Sequence, residues 1–192
     1  FDELINDDDK PFFDRAAQGR YSPASTIKPA IGLFGIDKDI LDWEYTIQDP
    51  GFFILPEDGR IYRGWKKGGH GEINLKDAII ESSNTFFFSL AYQTEIEELR
   101  AHLSNFGFGK NVCDDCFMPD NGLLPSPRWK MNTHNFGWFK GDTVNVGVGQ
   151  GYINATPIQL AYYSAFLATK GNINKFSFCL LYTSDAADDV AS

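Results

Sequence analysis

The sequence predicts an α+β fold in which helices carry most of the order and the strands are few and short. Two observations point that way. Apolar residues recur at helical spacing in several separate stretches, whereas strand-like runs are confined to Phe52-Phe53-Ile54-Leu55 and Ile61-Tyr62-Arg63, between clusters of turn formers. The composition supports one buried core: of 192 residues, 43% are hydrophobic and 17 are Phe, the reverse of a disordered chain. That length is about one ordinary domain.

Charge and hydropathy exclude some functions. A net charge of −9 argues against nucleic acid as partner, because phosphate binding needs clustered cations. No apolar run approaches the ~18 residues of a membrane span. No signal peptide is visible, and a start at Phe1 rather than Met is expected of a fragment. Cys113 and Cys116 form a lone Cys-x-x-Cys, which lacks the two further ligands of a zinc site. It reads as structural or incidental, or as a local disulfide in an oxidising compartment.

Taken in order, residues 1–24 begin acidic, with Asp7-Asp8-Asp9, and read as a loop and short extended lead-in. A helix is expected from about Ser25, buried through Ala30, Ile31, Leu33 and Phe34. From Thr46 to Gly71 turn formers dominate, and His70 between two glycines reads as a loop histidine. Residues 72–93 hold two buried helices separated by Glu81-Ser82-Ser83-Asn84-Thr85, where Ser82 or Asn84 is the expected cap of the second. Ile96, Leu99, Leu103 and Phe106 mark an amphipathic helix stopped at Gly107 and Gly109. Asn111 to Phe139 reads as a long irregular stretch. In the run from Gly141 to Tyr152 the glycines are not followed by a phosphate-binding lysine, so they indicate close backbone packing. Thr156-Pro157 opens a last helix, with Thr at N-cap, Pro at N1 and Gly171 as stop.

Two polar groups could carry chemistry. Ser25 and Lys28 are three apart, hence neighbours on one helical face. A serine hydroxyl attacks only when a neighbour takes its proton, and a desolvated lysine amine can do so. Alone, that spacing is weak evidence, since Ser-x-x-Lys arises by chance in many proteins and on a surface helix would mean nothing. Ser82 and Asn84 likewise suit either a cap or a cleft in which a hydroxyl relays a proton and an amide holds a carbonyl.

Together these stretches resemble the transpeptidase domain of class B penicillin-binding proteins, in particular those of the elongation machinery. The matching segments are Asp14 to Tyr21, Ser25-Thr26-Ile27-Lys28-Pro29, Asp49-Pro50-Gly51, Trp65-Lys66-Lys67, Gly69-His70-Gly71 and Glu81 to Phe87. Phe106 to Gly109, Gly141-Asp142-Thr143, Gly149 to Tyr152 and Ala155 to Gln159 follow in the same order, over about residues 5–174. The resemblance implies the serine transpeptidase/β-lactamase-like fold, present here mostly as its helical part. It implies Ser25 as acylated nucleophile, Lys28 as general base, Ser82 as proton relay and Asn84 as a contact to the substrate amide. Peptidoglycan stem peptides are the implied substrates and β-lactams the implied inhibitors. A glycosyltransferase of the elongation complex is the implied partner, and the outer, periplasmic face of the inner membrane the implied location. No cofactor is expected. A serine β-lactamase or a β-lactam sensor is the related alternative.

The departures carry expectations of their own. The family's third motif, Lys-Ser/Thr-Gly, does not occur in the sequence. The central antiparallel sheet is therefore expected to be largely missing, the chain as written to be inactive, and Phe86 and Phe87 to lack part of their packing surface. Residues 1–174 are expected to be the partial transpeptidase domain, and residues 175–192, with Cys179, an unrelated tail resembling translated adapter sequence. Some members of the family place Asp, Asp, His and Cys around a metal. Here Asp49 and His70 match, but Gly64 and Ser83 hold the other two places, so no metal is expected.

Overall fold

The computed structural model describes Leu4 and residues 6–177; of the expected tail, residues 178–192, with Cys179, lie outside the described residues. Helix α1 (Arg15–Gln18) falls inside the expected loop. Asp14 starts it, its carboxylate accepting from the Ala16 and Ala17 amides at 2.9 and 3.0 Å. The expected helix at Ser25 divides in two, because Pro29 lacks an N–H to donate. A 3₁₀ turn, Ala24–Ile27, leads into α2, Lys28–Asp37, with Pro29 in its first turn.

The strands nest as two antiparallel pairs. The outer pair joins β1 (Thr46–Asp49) to β4 (Gly71–Asn74), with Asp49 opposite Gly71. The inner pair, β2 (Phe52–Ile54) and β3 (Ile61–Arg63), falls on the two short strands read from the sequence and pairs them as a hairpin. Asn74 then caps α3 (Leu75–Ile80) by accepting from the Asp77 amide. The next helix, α4 (Asn84–Tyr92), is capped by Ser83 rather than by Ser82 or Asn84: the Ser83 hydroxyl accepts from the Phe86 amide at 3.2 Å.

The amphipathic helix α5 (Ile96–Asn105) ends before Gly107, whose φ is +92°. In the stretch read as irregular, Ser126 caps a further helix, α6 (Pro127–His134), which stops at Asn135 in the left-handed region. Helix α7 (Lys140–Val146) follows. Helix α8 (Pro157–Ala168) has the expected cap, a reciprocal pair of hydrogen bonds between Thr156 and Gln159.

The core gathers around α2 and α4. Ile27, Ala30, Ile31 and Phe34 pack in one cluster with Leu75, Phe86, Phe87, Leu99, Leu103, Val144 and Tyr163. Phe86 and Phe87 are 1% and 0% exposed, contrary to the expectation that they lack packing surface. Tyr45 stacks edge-on against Phe86, and strand-borne Ile73 joins the helices in the cluster around them, while the apolar side chains left exposed are elsewhere, among them Leu33 and Ile80. Two groups grip the start of α2 at Ala30. Its amide donates to the Tyr163 hydroxyl at 3.2 Å, and its carbonyl accepts from His102 Nε2 at 3.0 Å.

Cys113 and Cys116 form a disulfide, which fits the local-disulfide reading of this pair. Beside them Phe176 joins the loop: its amide donates to the Val112 carbonyl, and its carbonyl accepts from the Asp114 amide.

Candidate active site

The buried lysine at the head of α2 is where two distant segments meet. Lys28 is 2% exposed, and its Nζ donates to Asn84 Oδ1 at 2.7 Å, to the Ser82 carbonyl at 2.8 Å and to Ser82 Oγ at 3.0 Å. An ammonium has three donors, and here all three are matched. Nζ also lies 5.5 Å from the centre of the Phe87 ring. Loss of solvent around the amine disfavours its charged form and pushes its pKa down to about 8. At neutral pH a minor but ready fraction is therefore the free base.

Ser25 stands in the 3₁₀ turn just before this lysine, and its carbonyl accepts from the Lys28 backbone amide. Its side chain is on the exposed side of the turn. The structure thus joins Lys28, Ser82 and Asn84 by direct hydrogen bonds and sets Ser25 one turn before Lys28 at the surface.

Gly149 holds that turn in place. Its carbonyl accepts from the Ala24 amide at 2.8 Å and from Ser22 Oγ at 2.5 Å. With φ at +69°, its own Cα comes so close that an added Cβ would lie 2.2 Å from the Ala24 carbonyl oxygen. The close packing read from the glycine run is found here, between α7 and the serine turn.

The other support lies behind Ser82 and Asn84. The Ser83 hydroxyl, between them in sequence, donates to Asp49 Oδ2 at 2.8 Å. His70 Nδ1 donates to the same oxygen at 2.7 Å, and the Gly51 amide donates to Oδ1 at 2.7 Å. Burial alone would raise the Asp49 pKa, but the hydrogen bonds from His70, Ser83 and Gly51 outweigh it and hold the carboxyl below its ordinary value. His70 lies in the loop before β4, as read from the sequence, and is there tied into a hydrogen-bonded network. Trp65 stacks edge-on against its ring and donates from its indole to the Glu81 carbonyl at 3.0 Å. The residues present do not suit a metal at this place. Gly64 offers no ligand, and the Ser83 hydroxyl and His70 Nδ1 are committed to Asp49.

Sequence reasoning found Lys28, Ser82 and Asn84 as candidates but missed Ser83, Asp49 and Gly149 as their supports. The signal for Asp49 was faint: Asp-Pro-Gly reads first as a turn.

Comparison with known proteins gives the class. A family model described as the penicillin binding protein transpeptidase domain matches residues 2–185, and the chain belongs to that family. Among relatives, it is 43% identical over 172 residues to a peptidoglycan D,D-transpeptidase, MrdA, of Acinetobacter baumannii, a match covering 90% of this chain and 26% of the relative. Among solved structures, it superposes on Pseudomonas aeruginosa PBP2 in complex with WCK 5153, with TM-score 0.86 and 41% identity over 91% of this chain and 40% of that one. It also superposes on Helicobacter pylori PBP2, in a complex with MreC, with TM-score 0.86 and 32% identity, covering 95% of this chain and 34% of that one. The chain therefore spans about a quarter of the length of the curated relative named here. Among the described residues, no helix is long and apolar enough to cross a membrane.

Proposed function

We propose that this chain is the nucleophile-bearing part of a peptidoglycan D,D-transpeptidase of the elongation type, acting on stem peptides at the periplasmic face of the inner membrane. The observation that carries the reading is the Lys28 ammonium, held by Ser82 and Asn84 across 54 and 56 residues of chain. A lysine with a lowered pKa beside a serine turn is what serine acylation requires.

In the proposed reaction, Ser25 Oγ attacks the carbonyl of the penultimate D-alanine and its proton passes to the neutral Lys28 amine. The carbonyl oxygen takes the developing charge, and the Ser25 backbone N–H is one donor toward it. As the peptide C–N bond breaks, the terminal D-alanine leaves with a proton relayed through Ser82. The ester on Ser25 is then attacked by an amine of a neighbouring stem peptide. That amine gives up a proton, the C–O bond breaks and Ser25 regains its hydrogen. Asn84 turns Oδ1 to Lys28, which leaves its NH₂ for a substrate carbonyl. A β-lactam enters the same first step and stops at the ester. The MreC complex of the Helicobacter pylori neighbour supports an elongation-type partnership, and the family resemblance adds a glycosyltransferase partner.

The reaction also calls for a Lys-Ser/Thr-Gly strand, which is not in this sequence. The test is therefore acylation by a fluorescent penicillin of the 192-residue chain and of a chimera carrying the region that follows the matched segment in the Acinetobacter relative. The chimera should form a stable adduct at a rate rising with pH through about 8, and Lys28→Ala should slow it at least about 100-fold. A folded chimera that never labels would overturn the reading. A label lost within seconds would point to a hydrolase.

A further inference from the structure

Ser82 and Asn84 are not anchored to Lys28 alone, for the residue between them is tied to a different part of the fold. Ser83 is fully buried, and its hydroxyl makes two bonds. It accepts from the Phe86 amide at the head of α4 and donates to Asp49 at the end of β1. Asp49 in turn accepts from His70, which precedes β4. The backbone repeats the link, since the His70 amide donates to the Asp49 carbonyl at 3.1 Å. A rigid strand pair is thereby bonded to the middle residue of the segment that holds the lysine.

That segment needs holding. Ser82 sits at φ +52°, a left-handed conformation that a side chain other than Gly, Asn or Asp rarely adopts, and such strain persists only where the surroundings over-determine it. The turn aims both the Ser82 carbonyl and its hydroxyl at Lys28 Nζ.

We propose that the hydrogen-bonded chain His70–Asp49–Ser83 is a positioning device for the candidate active site, locking the Ser82–Asn84 turn so that its oxygens face Lys28. The three are positioning residues and act on the chemistry only through Ser82, Asn84 and Lys28. Among the described residues around the His70 ring, Asp49 takes Nδ1, Trp65 stacks on one side, and Glu81 Oε2 lies 4.0 Å from Nε2, beyond hydrogen-bond reach.

The inference rests on the site assignment above, but its test requires no acylation. The side-chain carbon next to the amine of Lys28 is followed by ¹³C NMR in the 192-residue chain through a pH titration. In the parent protein its midpoint should fall near 8. His70→Ala, which removes the donor to Asp49, should release the turn, admit water to the amine and move the midpoint up by at least one pH unit. His70→Asn, whose side-chain NH₂ can replace the Nδ1 donor, should restore the parent midpoint. Where His70→Ala does not fold, Asp49→Asn, equal in shape, should give the same upward shift. A folded variant that melts earlier but keeps the parent midpoint would show the network to be merely structural, and would overturn the proposal. Failure of Ser25 to acylate would leave this result unaffected, so the two readings fail separately.

Discussion

Lys28 and Asp49 are both buried charges, yet their surroundings act on them with different results. Around Lys28 the loss of solvent prevails and lowers the pKa to about 8 from 10.5. Around Asp49 the hydrogen bonds prevail and the carboxyl also titrates below its ordinary 3.8. The stability consequences follow from linkage. The part supplied by Asp49 is fully present above pH 3.8 and is lost as pH falls through the lower folded-state value. The part tied to Lys28 is complete only above 10.5 and is lost as pH falls through about 8. Urea titrations at pH 3 to 6 should therefore show the parent losing stability at the acid end more steeply than Asp49→Asn. Equal slopes would mean that the Asp49 bonds do not favour its ionised form. Residue types alone could nominate Lys28, Ser82 and Asn84, but not this balance, because the side-chain donors His70 and Ser83 reach Asp49 from 21 and 34 residues away.

Among the elements, those whose signals are local were legible in the sequence. Thr156-Pro157 with Gln159 specifies the start of α8, and the apolar spacing of Ile96, Leu99 and Leu103 specifies α5. The strands β1 and β4 were not legible, since each is four residues long and defined by its partner rather than by alternation. Helix α6 was hidden in a stretch whose Pro, Asn and Trp content suggested a loop, although Ser126-Pro127 is a regular start signal. The glycine run was read correctly as a packing feature, but its partner, the serine turn, could come only from the fold. That contact yields a prediction. Gly149→Ala would place a methyl group against Ala24 and keep a strained φ, so it should destabilise the protein by about 2 kcal/mol or more. Chemical denaturation would measure it, and a change below about 0.5 kcal/mol, the range of neutral surface substitutions, would show that the turn shifts without cost.

Across the whole molecule, α2 is the piece on which the rest converges. Tyr163 of α8 and His102 of α5 hold Ala30, Gly149 holds the preceding turn, and the head of α4 meets Lys28. The fold class was legible because buried helices dominate the pattern. The enclosure of Phe86 and Phe87 was not, because it depends on how α2, α4 and α7 close over one another. The same convergence brings a serine, a lysine and a Ser-x-Asn segment to one place in a protein of the penicillin binding protein transpeptidase family. The most direct test of that assignment is the position of the β-lactam adduct, found by peptide mapping and tandem mass spectrometry of the penicillin-treated chimera. The account predicts the added mass on Ser25 and its disappearance in Ser25→Ala. An adduct on any other residue, or one that survives Ser25→Ala, would contradict it.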